Sequence, residues 1–144
     1  MSLTRQRLDE IAIDYHTSDN VPDKFIEDAL QRHSLDWITE QLAGVEHVLE
    51  LGYGEGIVTD HLVQIGKQVT QLEGSSILVN RVRERYGDRV RSVHGLFEEF
   101  SSDQRFDAVV ASHVLEHVDD PVALLTRMRD WVRPGGRVVI IVPN

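Results

Sequence analysis

Cysteine is absent from all 144 residues. That removes disulfides, thiol catalysis and zinc–thiolate sites at once, and it fits a chain kept in a reducing, cytoplasmic compartment. No apolar run approaches the ~20 residues of a membrane span. The opening Met1-Ser2-Leu3-Thr4-Arg5 lacks the apolar core of a signal peptide. Basic residues are in the minority: 15 Lys and Arg face 24 Asp and Glu, for a net charge of −9. This balance argues against a nucleic-acid backbone or an anionic membrane as the main partner, since both reward basic surfaces. Repeats, low-complexity tracts and linkers are missing as well. What is present, 41% hydrophobic and 27% charged residues, is ordinary for a soluble globular protein, and the length allows one domain with a real core.

One stretch organises the rest: Val48-Leu49-Glu50-Leu51-Gly52-Tyr53-Gly54-Glu55-Gly56. It reads as a buried strand carrying a carboxylate and running into three glycines at alternate positions. Glycine lets a backbone turn sharply and lets a ligand lie against bare main chain. Ile57 to Ile65 then reads as a helix, so the glycines sit between a strand and a helix N-terminus. An open α/β sheet binds its ligand there, at the carboxyl end of a strand. Three glycines in a βα turn also serve simply to pack helix on strand, and the remaining residues have to decide.

Along the chain, residues 1 to 20 are polar with a short apolar cluster at Leu8, Ile11, Ile13 and Tyr15. They predict a short helix followed by an irregular Tyr15-His16-Thr17-Ser18-Asp19-Asn20. From Pro22 to Gly44 a covering helix is expected, with Phe25, Ile26, Ala29, Leu30, Trp37, Ile38 and Leu42 on one apolar face. Gln68–Leu72 predicts a second strand ending in Glu73-Gly74. Ser75 or Ser76 caps a helix to Tyr86, and Gly87 stops it. Arg89–His94 predicts a third strand and Phe106–Ala111 a fourth, nearly all apolar as a central strand should be. A helix from Asp120-Pro121 through Trp131, a turn at Pro134-Gly135-Gly136 and a fifth strand over Val138–Val142 complete the pattern. Alternating strands and helices give a doubly wound, mostly parallel sheet in one domain, divided as an N-terminal helical cap (1–44) and a core (45–144).

Glu73 lies 21 positions after Gly52, at the end of the second strand. A carboxylate there is placed to accept both hydroxyls of a ribose lying across the loop, although a solvated acid at a strand end is also common. A dinucleotide fingerprint would carry a third glycine inside the helix, where this chain has Ile57. Glu50 moreover stands where a pyrophosphate would sit. A carboxylate repels a diphosphate and attracts an ammonium or sulfonium. A nucleoside with a cationic or zwitterionic tail is therefore expected, and S-adenosylmethionine fits that description.

On these residues the chain resembles the class I S-adenosylmethionine-dependent methyltransferases, with their Rossmann-like fold. Glu50–Gly56 looks like their first motif, and Phe106–Val118 like their fourth strand and the loop after it. Trp131–Ile140 looks like their helix end, turn and fifth strand. The resemblance covers about residues 45 to 142. It implies that Glu50 holds the methionine end, that the backbone of Gly52, Tyr53, Gly54 and Gly56 approaches the cofactor, and that Glu73 binds the ribose, with Gly74 and Ser75 beside it. Ser112, His113 and Val114 would line the cofactor after the fourth strand. Many members carry an acid after the third strand for the adenine amino group. Here Leu96 stands in that place, so Leu96 and Phe97 would hold adenine by apolar contact, with Glu98 or Glu99 as substitutes. The activity implied is methylation of a small-molecule acceptor at O, N or C. A nicotinamide-dependent oxidoreductase, and a cofactor-binding module without catalysis, are the competing readings.

His113-Val114-Leu115-Glu116-His117 also matches a zinc-peptidase pattern, H-x-x-E-H, which needs both histidines on one helix face. Its context, directly after an apolar strand and before Asp119-Asp120-Pro121, disagrees, and no metal is expected. His117 is the candidate general base, against a loop histidine that caps or packs. Methyl transfer asks chiefly for alignment and desolvation, so it proceeds without a base where the acceptor is already nucleophilic. Tyr15 and His16 are weaker candidates for closing the site, and Arg81, Arg83, Arg85, Arg89 and Arg91 read as a solvated face. The family's sheet continues beyond the fifth strand, whereas this chain ends at Asn144. A bare apolar edge at Val138–Val142 is a liability. It leaves three explanations: a shortened chain, a homodimer covering the edge, or a reduced domain.

Overall fold

A computed structural model describes residues 4–17 and 24–143, with the side chains of 15–17 and 24 left out. Three helices come first: α1 (Arg5–Thr17), α2 (Lys24–His33) and α3 (Leu35–Gln41). Then follow β1 (His47–Leu51), α4 (Ile57–Gln64), β2 (Gln68–Glu73), α5 (Ser76–Tyr86), β3 (Val90–His94), β4 (Phe106–Ser112), α6 (Pro121–Trp131) and β5 (Val132–Ile141). Single 3₁₀ turns stand at Gly87–Arg89 and Leu115–His117. The strands form one all-parallel sheet in the order β3-β2-β1-β4-β5. This is the doubly wound sheet expected from the sequence.

Parallel strands need both faces covered, and side-chain alternation sorts their residues between two cores. Val48, Val69, Val90, Ala108, Val110 and Val139 face one way, against Ile38 and Leu42 and the helices α4 and α5. Leu49, Leu51, Leu72, Val109 and Ala111 face the other, against Leu124, Met128 and Trp131 of α6. The register keeps these sets aligned, with Val48 opposite Val69 on one side and Ala108 on the other. The caps read from sequence are present. Ser75 Oγ accepts from Leu78 N at 3.4 Å, and Asp120 Oδ1 accepts from Ala123 N at 2.9 Å.

Three boundaries differ from expectation. The covering helix breaks at Ser34, whose hydroxyl donates back to the Leu30 carbonyl at 3.1 Å, a bond that bends helices. Beyond the break Ile38 and Leu42 are fully buried, while Phe25 (82% exposed), Ile26, Leu30 and Trp37 face solvent, so half of the expected apolar face is not used for covering. Pro22 and Asp23, the expected helix start, lie outside the described residues. The N-terminal helix runs on to Thr17, through residues 15–17 that were expected to be irregular. The third difference is in β5, which starts at Val132 and absorbs Pro134-Gly135-Gly136 as a bulge. Between Phe106 and Ala108 of β4, the partner jumps from Val132 to Arg137. Gly135 (φ +78°) turns the chain there, and a Cβ on Gly136 would stand 2.6 Å from the Asp107 carbonyl. At the sheet edge Val138 and Val142 are exposed and Val139 is buried. No helix among the described residues is long and apolar enough to cross a membrane.

Candidate functional site

The strand order reverses at β1: the chain steps from β1 to β2 on one side, and β4 lies on the other. A crevice must open outside the carboxyl ends of β1 and β4, because the connections leave them in opposite directions. The glycine loop fills that position. Gly52, Gly54 and Gly56 all have positive φ (+76°, +53° and +79°), so the loop needs glycine for its path. Gly52 N donates to the Leu72 carbonyl at 2.9 Å, which ties the loop to β2.

Glu73 is the best-held side chain of the site. Its Oε2 accepts from Tyr53 N and its Oε1 from Ser75 N, both at 2.8 Å. It is buried, and burial pushes its pKa up although those backbone bonds and nearby His94 pull down. A carboxylate oxygen has room for two donors. Glu73 therefore keeps acceptor capacity for a ligand's hydroxyls while its orientation is already fixed.

Glu50 lies deeper than the sequence suggests. Only 2% of it is exposed, and its Oε2 accepts from Thr59 Oγ1 in the first turn of α4 at 2.7 Å. Burial first, then the like charges of Glu73 and Asp60, push its pKa up to about 8 against the pull of Thr59. It lies buried at the end of β1, beside the first turn of α4. The ring of Tyr53 belongs to the core: it packs edge-on to Tyr86 (centroids 6.4 Å, 81°) and lies where a Cβ on Gly56 would be, 2.6 Å from its hydroxyl. Its backbone N–H is the part of Tyr53 that reaches Glu73.

On the β2 flank, Gly74, Ser75 and Leu96 come together. A Cβ on Gly74 would meet Leu96 at 3.2 Å and Leu8 of α1 at 2.3 Å. Phe97 packs instead with the core that α6 covers. Glu99 is bound to Arg5 of α1 at 2.6 Å, with both side chains more than half exposed. Asp9 of α1 accepts from Ser75 Oγ at 2.7 Å, from Ser76 Oγ at 2.9 Å and from Ile77 N at 3.4 Å. Burial opposes its charge, yet these bonds hold its carboxyl below the ordinary range.

On the β4 flank, Val114 lies against Gly52, 3.3 Å from where a Cβ would be. His113 takes a positive φ of 55° while its N–H donates to the Ile141 carbonyl at 2.8 Å. A non-glycine residue there is strained, a feature that clusters at functional sites. Ser112 Oγ is buried without a hydrogen-bond partner. His117 is 71% exposed, and Glu116 Oε1 lies 3.8 Å from His113 Nδ1 and 4.0 Å from His117 Nε2. With His113 left-handed and His117 in a 3₁₀ turn, the two histidines share no α-helical face, so the zinc-peptidase arrangement is not formed. Among the described residues no group of three or more His, Asp and Glu is arranged to hold a metal.

Sequence reasoning missed Thr59, Leu8 and Asp9. Thr59 is a fully buried polar residue on a helix face otherwise apolar, a signal that was available. Leu8 and Asp9 gave none, since their partners lie more than 60 positions away. The arginines stay at the surface, where Arg85 pairs with Asp60 at 2.6 Å. The side chains of Tyr15 and His16 lie outside the described set.

An oriented carboxylate with acceptor capacity and an orphaned hydroxyl flank a glycine loop that is open at Gly54, a setting that suits a polar, hydroxyl-bearing ligand. Known proteins agree. Residues 19–144 match a family described as methyltransferase domain. The ubiquinone biosynthesis O-methyltransferase of Aeromonas salmonicida is 34% identical over 117 residues, covering 76% of this chain and 49% of that protein. Its counterpart in Aromatoleum aromaticum is 35% identical, with 76% and 50% covered. The chain thus spans about half the length of these curated relatives. Among solved structures, the DhpI-SAM-HEP complex superposes with a TM-score of 0.71 at 28% identity, covering 94% of this chain and 62% of that one. The glycopeptide N-methyltransferase MtfA with S-adenosyl-L-methionine gives 0.67 at 28%, covering 76% and 53%. The chain belongs to the methyltransferase-domain family.

Proposed function

We propose that this chain is the S-adenosylmethionine-binding core of a methyltransferase acting on a small-molecule acceptor at O, N or C. The observation that carries the reading is Glu73, fixed by Tyr53 N and Ser75 N over the glycine loop at the switch point. It is supported by the relatives, named as O-methyltransferases, and by neighbours solved with the cofactor. When bound, the cofactor supplies an electrophilic methyl group on sulfur. The chain's own residues bind and orient. Glu73 accepts from ribose hydroxyls, with Gly74, Ser75 and Leu96 as the walls of the nucleoside end and Phe97 behind them. The backbone of Gly52, Tyr53, Gly54 and Gly56 gives close approach. Glu50 lies beneath the cationic end, which favours its ionised form, and Ser112, His113 and Val114 line the cofactor on the side from which an acceptor arrives.

His117 stands largely exposed beside Glu116, where it orients an acceptor or takes its proton at the mouth of the site. The helices of residues 1–44 form the cap over a core of 45–144. A second copy covering the β5 edge is supported by exposed Val138 and Val142, and a cytoplasmic location by the lack of cysteine. Light scattering reads the first directly, and a lasting monomer at high concentration would remove it. Incubation with methyl-labelled S-adenosylmethionine and panels of phenols, amines and acidic carbon nucleophiles tests the activity. Native mass spectrometry on the same samples reports cofactor binding, and absence of any bound adenosyl ligand would defeat the proposal.

A further inference from the structure

We propose that α1 is an autoinhibitory plug: in the free protein Leu8 fills the nucleoside end of the cleft, Asp9 latches it there, and the cofactor enters only when α1 lifts away. The inference rests on the nucleoside reading of Glu73 given above. Leu8 lies directly on the backbone of Gly74, since a Cβ there would be 2.3 Å from Leu8 Cδ1, with Leu96 at 3.2 Å from the same point. Atoms in contact need about 3.5–4.0 Å between carbon centres, so a base ring laid on Gly74 and Leu96 has no room while Leu8 is present. The two described cavities, of about 600 and 520 Å³, lie at the β3 edge and at the amino ends of the strands. Neither is lined by the glycine loop.

The latch is specific, and among the described side chains of α1 only Ala12 is buried. Asp9 takes hydrogen bonds from Ser75 Oγ, Ser76 Oγ and Ile77 N, all at the start of α5, where an anion is favoured. Beyond these contacts α1 buries Ala12, leaves Ile11 and Ile13 exposed, and adds the Arg5–Glu99 ion pair, which is solvent-exposed and so worth little. Segments held by few buried contacts are the ones that open locally. A site that is competent only when open binds more weakly in proportion to its open fraction, so loosening the plug must tighten binding.

The test is stopped-flow and equilibrium binding of S-adenosylhomocysteine to the full chain and to Leu8→Ala, Asp9→Ala, Ser76→Ala and Arg5→Ala. Leu8→Ala and Asp9→Ala are expected to associate at least about tenfold faster and bind correspondingly tighter. Ser76→Ala and Arg5→Ala, which remove single ties at little cost to folding, are expected to shift the same way by about two- to threefold. Hydrogen exchange of residues 5–17 is expected to speed up when wild-type protein is saturated with ligand. Weaker or unchanged binding in the variants that fold, or slower exchange in α1 on saturation, would overturn the plug and make α1 a fixed wall. Failure of wild type and all variants to bind would overturn the nucleoside reading, and the plug with it.

Discussion

The two flanks of the glycine loop are built on opposite plans. On the β2 flank the polar groups nearest the loop are engaged: Glu73 is held by two backbone N–H groups, and Ser75 both caps α5 and donates to Asp9. On the β4 flank, Ser112 Oγ has no partner, His113 is backbone-strained and His117 is largely exposed. Preorganised groups bind a constant ligand well, because their ordering cost falls on folding and not on binding. Strained and unpaired groups are what a site keeps when its partner arrives later. The contrast fits an invariant nucleoside on one side and a variable acceptor on the other.

Breaking the preorganised flank should cost most. Glu73→Ala is expected to weaken S-adenosylhomocysteine binding by about 1–3 kcal/mol, read by calorimetry, through lost charge-assisted hydrogen bonds. Unchanged affinity in a folded variant would remove the ribose assignment. Next in size is the effect of Glu50. Its folded pKa of about 8 stands above its ordinary 4.5, so between those values the folded state holds more protons than the unfolded one. Its contribution to stability is then complete below the ordinary value and lost as pH rises through 8. Melting temperature should fall from pH 6 to pH 9, and less so in Glu50→Gln. A bound cation favours the ionised form, so affinity for S-adenosylmethionine should rise roughly tenfold between pH 6 and pH 8.5. A flat profile in wild type would contradict the charge role.

On the β4 flank the expected effects are smaller and act on different readouts. His113→Gly relieves a positive φ and should raise stability by about 1 kcal/mol in chemical denaturation, at the expense of whatever turnover the side chain supports. A loss of stability would show that the imidazole contributes more than its strain costs. His117→Ala, at an exposed position, should change stability by less than about 0.5 kcal/mol and cofactor affinity by less than about twofold. A large loss of affinity would move His117 from the acceptor side to the cofactor side.

The strands, the glycine loop and the place of Glu73 at the end of β2 were legible because each has a local signature: apolar runs, glycines at alternate positions, an acid at a strand end. The break at Ser34 was not, because it depends on a single hydroxyl competing for the Leu30 carbonyl inside an otherwise helical pattern. Nor was the depth of Glu50. Its place in the strand was readable, but the direction of its side chain follows the pleat, which turns it onto the Val48 face beneath Thr59. The contact of α1 with Gly74 joins residues 66 positions apart, and composition carries no trace of such pairs.

The central claim is that the loop and Glu73 form a site for an adenosyl ligand with a cationic tail. Parallel calorimetric titration of the chain with S-adenosylhomocysteine and with NADH tests it most directly. One equivalent of S-adenosylhomocysteine bound, with no heat from NADH, is the result predicted. Binding of NADH without S-adenosylhomocysteine would contradict it.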